Sequence, residues 1–267
     1  MTNFLKNEEK RISKEFLHKG YIIKKITNKN SLDYISFLIK KTAETILGKK
    51  KNSINLDKFH NEIPIEKLNN TRVDIINIMN KDKNLRFHYF NLARDLIYIL
   101  AGNELMMQKN INLSIQFPND KSSLLPIHSD VWSGDSAYEI NLWIPLVNCY
   151  RTKSMYILEQ KHNNDFLEFM KKKKISSSEE IFKVLRNKVK WIKINYGELL
   201  IFNQSLPHGN VVNLEKETRW SMNCRFKSFF SPYGDKKIGE FFLPITTRAI
   251  TEIGINFQYP FNKKNEA

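Results

Sequence analysis

The sequence predicts an α+β fold, a helical first part leading into an antiparallel sheet core, and three observations predict it. Apolar residues recur at helical spacing up to Leu100. From Ile111 onwards they alternate with polar ones at a spacing of two. Two histidines and an aspartate lie on or just after strand-like stretches between these segments, and an arginine opens the last of them, which gives the sheets something to enclose.

In chain order, residues 7–18 are charged and read as a helix, and Tyr21-Ile22-Ile23 as a first strand. Leu32, Ile35, Leu38, Ile39, Ile46 and Leu47 lie near helical spacing, with Asn30 or Ser31 as cap and Gly48 as stop. Residues 49–62 read as loop. Pro64 suits the first turn of a helix carrying Leu68, Ile75, Ile76 and Met79. A further helix carries Leu85, Tyr89, Leu92, Leu96 and Leu100 and ends at Gly102. These helices are expected to pack on a sheet, with His60 and His88 as surface or packing residues.

Ile111, Leu113, Ile115 and Phe117 then alternate with Asn112, Ser114 and Gln116. Tyr138, Ile140, Leu142 and Ile144 alternate with Glu139, Asn141 and Trp143. Trp220, Met222, Cys224 and Phe226 alternate with Arg219, Ser221, Asn223 and Arg225. One explanation is an antiparallel sheet with one wet face. The other is a jelly roll whose polar faces line a ligand cavity. Residues 161–190 interrupt the pattern: Ser176-Ser177-Ser178-Glu179 is a capping-box signal ahead of Ile181, Phe182, Val184 and Leu185, so a helical insertion is expected. After Ser231, Phe241, Phe242, Leu243, Pro244 and Phe257 are expected to fold back on the core. The chain is read as one domain over 1–267: helical support at 1–110, core at 111–230, extension at 231–267.

An apolar fraction of 41% over 267 residues suffices for a core. No apolar run is long enough to cross a membrane, no signal-peptide core is visible, and Cys149 and Cys224 are too few for a disulfide framework. A reduced, cytoplasmic protein is expected. The formal charge of +15 comes from scattered lysines in an Asn- and Ile-rich chain; only Lys171-Lys172-Lys173-Lys174 is a run, and it reads as a solvated face. Nucleic acid is therefore not an expected partner. An anionic small substrate, such as a nucleotide-linked sugar, suits the charge as well.

The chemistry centres on residues 125–132. If the stretch is extended, His128 and Asp130 point the same way. His208 follows the strand-like Gly197-Glu198-Leu199-Leu200-Ile201-Phe202, and Arg219 opens the next strand. Two histidines and one carboxylate form the facial set that holds non-haem Fe(II) with positions left open. A lone His-x-Asp is weak evidence; its combination with the distal histidine and the arginine carries the reading. Arg219 suits the far carboxylate of a keto-diacid, because a planar guanidinium binds carboxylates bidentately.

At these residues the sequence resembles the Fe(II)/2-oxoglutarate oxygenases of the phytanoyl-CoA dioxygenase-like superfamily, and within it the branch found in bacterial carbohydrate-biosynthesis clusters. The resemblance lies in Ser114-Ile115-Gln116-Phe117-Pro118, Leu124-Leu125-Pro126-Ile127-His128-Ser129-Asp130, Trp132-Ser133-Gly134-Asp135, Leu142-Trp143-Ile144-Pro145-Leu146 and Lys153-Ser154-Met155-Tyr156-Ile157-Leu158. It continues through Gly197 to Asn210 and through Arg219-Trp220-Ser221. It implies a double-stranded β-helix, a cupin-like jelly roll, with His128, Asp130 and His208 as metal and catalytic residues. It also implies 2-oxoglutarate and O2 as cosubstrates and succinate and carbon dioxide as coproducts, with hydroxylation of a substrate C–H as the default outcome.

Arg219 is the expected anchor for 2-oxoglutarate, with Ser221 on the same strand face, and with Asn210 and Gln116 as further candidates. Asn210 departs from relatives that have a small hydroxyl residue there. Trp132, Asp135, Glu139, Asn141 and Arg225 are the substrate candidates; Arg225 is equally suited to an inner salt bridge with Glu139. Tyr150, Arg151 and Lys153 form a basic edge that either meets phosphate or is an exposed turn. The expected function is oxygenation of a sugar or sugar conjugate. The alternatives are a small-metabolite hydroxylase outside carbohydrate metabolism and a non-catalytic cupin-like binding protein. Asp130 argues against a halogenase, which needs a ligand vacancy for halide.

Overall fold

The computed structural model describes residues 4–172 and 177–259. Lys173, Lys174 and Ser176, from the basic run and the capping signal, lie outside the described residues. The helix after them is capped by Ser177, whose side chain accepts from the Glu180 amide at 3.2 Å.

The first part is helical. Helix α1 (Asn7–Lys19) stops at Gly20, whose φ of 79° is a left-handed conformation that glycine adopts without a Cβ penalty. Strand β1 (Tyr21–Lys25) leads to α2 (Lys29–Ile46), capped by Asn28 through the Ser31 amide rather than by Asn30 or Ser31. Residues 49–62, expected as loop, contain a 3-10 turn at Leu56–Asn61 that buries Leu56 and Phe59. Pro64 is the cap of α3 (Ile65–Met79). The single helix expected over 85–100 is two, α4 (Leu85–Asn91) and α5 (Arg94–Ala101). Phe90, Leu92, Ala93 and Ile97 are all buried. On one straight helix Leu92 would sit roughly opposite Phe90, because each residue turns about 100°; the break lets both face the core.

The remaining elements are β2 (Leu105–Gln108), β3 (Asn112–Gln116), β4 (Glu139–Pro145), β5 (Tyr156–Leu158), α6 (Gln160–Lys172), α7 (Ser178–Leu185), β6 (Val189–Trp191), β7 (Glu198–Asn203), β8 (His208–Gly209), β9 (Arg219–Ser228), β10 (Phe242–Thr246) and α8 (Ala249–Ile255). They build a mixed helix and antiparallel sheet architecture. The large sheet runs β1-β7-β4-β9-β2-β10, with β3 beside β2 on the same edge of β9. The small sheet runs β6-β5-β8. The helical insertion between β5 and β6 is α6 and α7. Strands β2 and β10 were not anticipated: all four residues of β2 are buried, so no polar alternation marks it.

One apolar core joins the helices to the large sheet. Phe59 meets Trp220 edge-on at 4.8 Å, and the Tyr89 hydroxyl donates to the Leu142 carbonyl at 3.0 Å. Strand β9 sets the two faces. Trp220, Met222, Cys224 and Phe226 are buried in that core; for a side chain the size of Met222 or Phe226 full burial contributes about 1.5–3 kcal/mol. Arg219, Ser221, Asn223 and Arg225 turn to the other face and line a cavity. A one-residue slip would exchange the two sets.

Candidate metal centre

The stretch around His128 is not the strand expected. His128 makes one isolated bridge to His208, and Asp130–Ser133 is a 3-10 turn. Pro126 has no amide hydrogen and cannot extend a ladder. The bridge is nevertheless what assembles the site. The His128 amide donates to the His208 carbonyl at 2.9 Å and the His208 amide returns the bond at 2.8 Å. Ser129 is extended, which keeps His128 and Asp130 on one side. Gly209 makes the close approach possible: a Cβ there would lie 2.8 Å from the Leu125 carbonyl oxygen.

His128, Asp130 and His208 thereby converge, their ligand atoms all within 4.8 Å of one another. Asp130 Oδ1 is 3.4 Å from His128 Nε2 and 3.8 Å from His208 Nε2. Ligands about 2.1 Å from an octahedral ion in cis positions lie about 3.0 Å apart, so small side-chain movements close the set around one ion. Each ring's Nδ1 is 2.8 Å from a carbonyl two residues back, Pro126 for His128 and Leu206 for His208. With Nδ1 held by a carbonyl acceptor, Nε2 is the nitrogen each ring would offer to an ion, the outer support that metal-binding histidines need. Burial pushes His208 down to about 4, against the pull of Asp130, so its ring is neutral near pH 7. Burial opposes ionisation of Asp130, but a hydrogen bond from His128 and the charge of Arg225, joined by His208 once that ring is protonated at low pH, outweigh it and hold the carboxyl well below its usual range.

Arg225 supports Asp130 from behind. One guanidinium nitrogen is 3.0 Å from Asp130 Oδ2, and its Nε donates to Gln204 Oε1 at 2.8 Å. Gln204 in turn donates to Glu139 Oε2 at 2.6 Å, and Glu139 accepts from the Ser136 amide. The inner partners of Arg225 are thus Asp130 and Asp135, the latter at 3.5 Å, and not Glu139.

Arg219 is the contrasting case. It is buried, one terminal nitrogen donates to the Ser114 hydroxyl at 2.9 Å, and its Nε has no partner. Among the described residues no carboxylate lies within ion-pairing distance of it. The cavity it lines, about 470 Å³, also takes in His128, Asp130, His208, Ser114, Asn210, Ser221, Asn223 and Arg225. Residues of both sheets therefore face one space.

The other candidates fall in three places. Ser221 and Asn210 line the cavity; the Asn210 side chain is engaged, accepting from the Leu125 amide at 2.7 Å. Gln116 is fully buried, donates to the Val211 carbonyl, and leaves Oε1 without a partner. Gln116, Trp132, Asp135, Glu139 and Asn141 are not among the cavity-lining residues. Trp132 is about half exposed beside Phe166; Asp135 makes a charge contact with Arg225 at 3.5 Å but its Oδ1 has no hydrogen bond, and Glu139 accepts from Gln204. The basic edge is also largely satisfied internally: Lys153 is buried between Asp57 and Glu217, and Tyr150 donates to Glu217. Sequence reasoning missed Arg72 of α3 and Phe202 of β7, both on the cavity wall. Phe202 sets its ring edgewise to His208 at 4.9 Å. Neither carried a signal, since one sat in a helix read only for packing and the other in an apolar run.

No protein-family model matches the sequence, and no curated protein matches it either. Solved structures do share the fold. A non-heme monooxygenase, ThoJ, in complex with nickel is 12% identical, with 90% of this chain and 85% of that one covered at a TM-score of 0.51. HygX from Streptomyces hygroscopicus, with nickel and 2-oxoglutarate bound, is 10% identical over 88% and 90% of the two chains at 0.51. The apo form of EctD from S. alaskensis is 14% identical over 85% and 79% at 0.52. At these identities the likeness establishes a common fold. Among the described residues no helix is long and apolar enough to cross a membrane.

Proposed function

We propose that this protein is a non-haem Fe(II)/2-oxoglutarate-dependent oxygenase. One observation carries the reading: a His-Asp-His set and a buried arginine without a carboxylate open into the same cavity. The donor set fits the metal, since it offers two imidazole nitrogens and one carboxylate, with their outer atoms already held. Fe(II) with 2-oxoglutarate supplies the oxidising chemistry, converting 2-oxoglutarate and O2 to succinate and carbon dioxide while a substrate C–H is oxidised.

The chain's own residues orient and exclude. His128, Asp130 and His208 hold the ion on one side. Arg219 takes the distal carboxylate of 2-oxoglutarate, with Ser221 beside it and Asn210 fixing the covering segment at Ser123 and Leu125. Phe202 walls off His208 from water. Gln116, opposite Arg219 across β3 and β9, backs the arginine end from behind the cavity wall. The finer reading follows from the sequence resemblance: a member of the phytanoyl-CoA dioxygenase-like superfamily, one unit over 1–267, with the two sheets as a jelly roll. It oxygenates a sugar or sugar conjugate. Asn112, Ser114 and Asn223 on the cavity wall supply the hydroxyl and amide groups that sugar hydroxyls require.

Anaerobic addition of Fe(II) and then 2-oxoglutarate tests the reading. A metal-to-ligand charge-transfer band should appear, and admission of O2 with a panel of nucleotide sugars should yield succinate. A protein that binds neither the ion nor the keto acid is not this enzyme.

A further inference from the structure

Three arginines line the cavity, Arg72, Arg219 and Arg225, together with one carboxylate, Asp130. Arg225 is paired with Asp130 and Asp135. Arg72, on α3, has no carboxylate within ion-pairing distance among the described residues. One terminal nitrogen donates to Asn69 Oδ1 at 2.6 Å, while its Nε is buried without a partner. A solvated surface arginine would keep that nitrogen in water.

We propose that Arg72 binds an oxyanion, a carboxylate or phosphate, carried by the primary substrate. The inference rests on the oxygenase reading, in which Fe(II) and 2-oxoglutarate occupy the same cavity. The charges then decide it. Arg225 already has Asp130 and Asp135 as its acids, and Arg219 would take the distal carboxylate of 2-oxoglutarate. That leaves Arg72 as the cavity arginine, among the described residues, with no acid of its own. Burial assigns the two free guanidiniums to different ligands. Arg219 is closed in, with 4% exposure, as suits a cosubstrate bound first and deep. Arg72 is only partly buried and shares the wall with Ser122, Ser123 and the exposed Leu125, where a second molecule enters. A neutral substrate would leave the Nε of Arg72 desolvated and unpaired, an arrangement that costs free energy.

The test uses the full chain loaded with Zn(II) as a diamagnetic substitute and saturated with 2-oxoglutarate. Inorganic phosphate and acetate are titrated in, with chloride at equal ionic strength as control. The readouts are the Arg72 Nε–H resonance, assigned by its loss in Arg72→Gln, and the Asn223 side-chain amide. Phosphate or acetate should shift both saturably, and the tighter of the two names the substrate's anionic group. Arg72→Gln should weaken that anion by about tenfold or more, the loss expected for a charge-assisted hydrogen bond, with Arg72→Lys recovering part of it. No shift beyond chloride overturns the proposal. So does an Arg72→Gln protein with unchanged anion affinity, or one that loses 2-oxoglutarate affinity instead. Failure of the oxygenase reading shows separately, as absence of metal-dependent 2-oxoglutarate binding in the unmutated protein.

Discussion

Arg219 and Arg225 sit on one strand, on the same face, lining the same cavity, yet their surroundings are opposite. Arg225 is surrounded by acceptors: two carboxylates and the Gln204 amide oxygen. Arg219 has one hydroxyl. A buried guanidinium with acids around it already has its counter-charges, and on the proposed reading its work is to hold Asp130. A buried guanidinium without an acid carries a desolvation cost that only a ligand offsets. On the proposed reading the difference separates a positioning residue from a binding residue, where residue type and spacing alone do not.

The largest expected effect lies at the metal. His128→Ala removes a ligand nitrogen from a side chain whose other contacts are the Pro126 carbonyl and its site partners Asp130 and His208, so the fold should survive while Fe(II) binding and the charge-transfer band are lost. Calorimetric metal titration checks this, and retained stoichiometric Fe(II) would break the assignment. Next is Arg219→Ala, which should weaken 2-oxoglutarate by about 2–5 kcal/mol, the range for truncating a buried charge pair. Arg219→Lys should recover little, since an ammonium cannot present a planar fork. Arg225→Ala sharpens the contrast. Its loss should appear in metal affinity, about 10–100-fold as for other outer-layer partners of metal ligands, because Asp130 is no longer held. The smallest effect is that of Asn210→Ala. The Leu125 amide it holds belongs to an exposed residue and can turn to water, so about 0.5–1.5 kcal/mol of stability is expected in denaturant melts.

The sequence was legible where a physical constraint is local. The alternation along β9 announced both the core face and the cavity face, and His128, Asp130 and His208 stood out because few contexts place those donors after strand-like segments. Legibility ended where the constraint is tertiary. All four residues of β2 are buried, Met106 and Met107 side by side, so β2 has no polar period to detect. The α4–α5 break answers to a core that apolar spacing does not describe. Asp135 is a substrate candidate in the sequence because it follows His128 and Asp130, and its contact with Arg225 was not legible because that residue lies far away in sequence. Arg72 is one basic residue among 43, and nothing local distinguishes a cavity arginine from a surface one.

The central claim is the division of labour between the two arginines, and one measurement tests it most directly. Fe(II)-loaded wild type, Arg219→Ala and Arg225→Ala are titrated anaerobically with 2-oxoglutarate, with metal held saturating and the charge-transfer band as readout. The account predicts a large loss of affinity in Arg219→Ala and near wild-type affinity in Arg225→Ala once its weaker metal binding is saturated. Unchanged affinity in Arg219→Ala together with a large loss in Arg225→Ala would contradict it and make Arg225 the anchor.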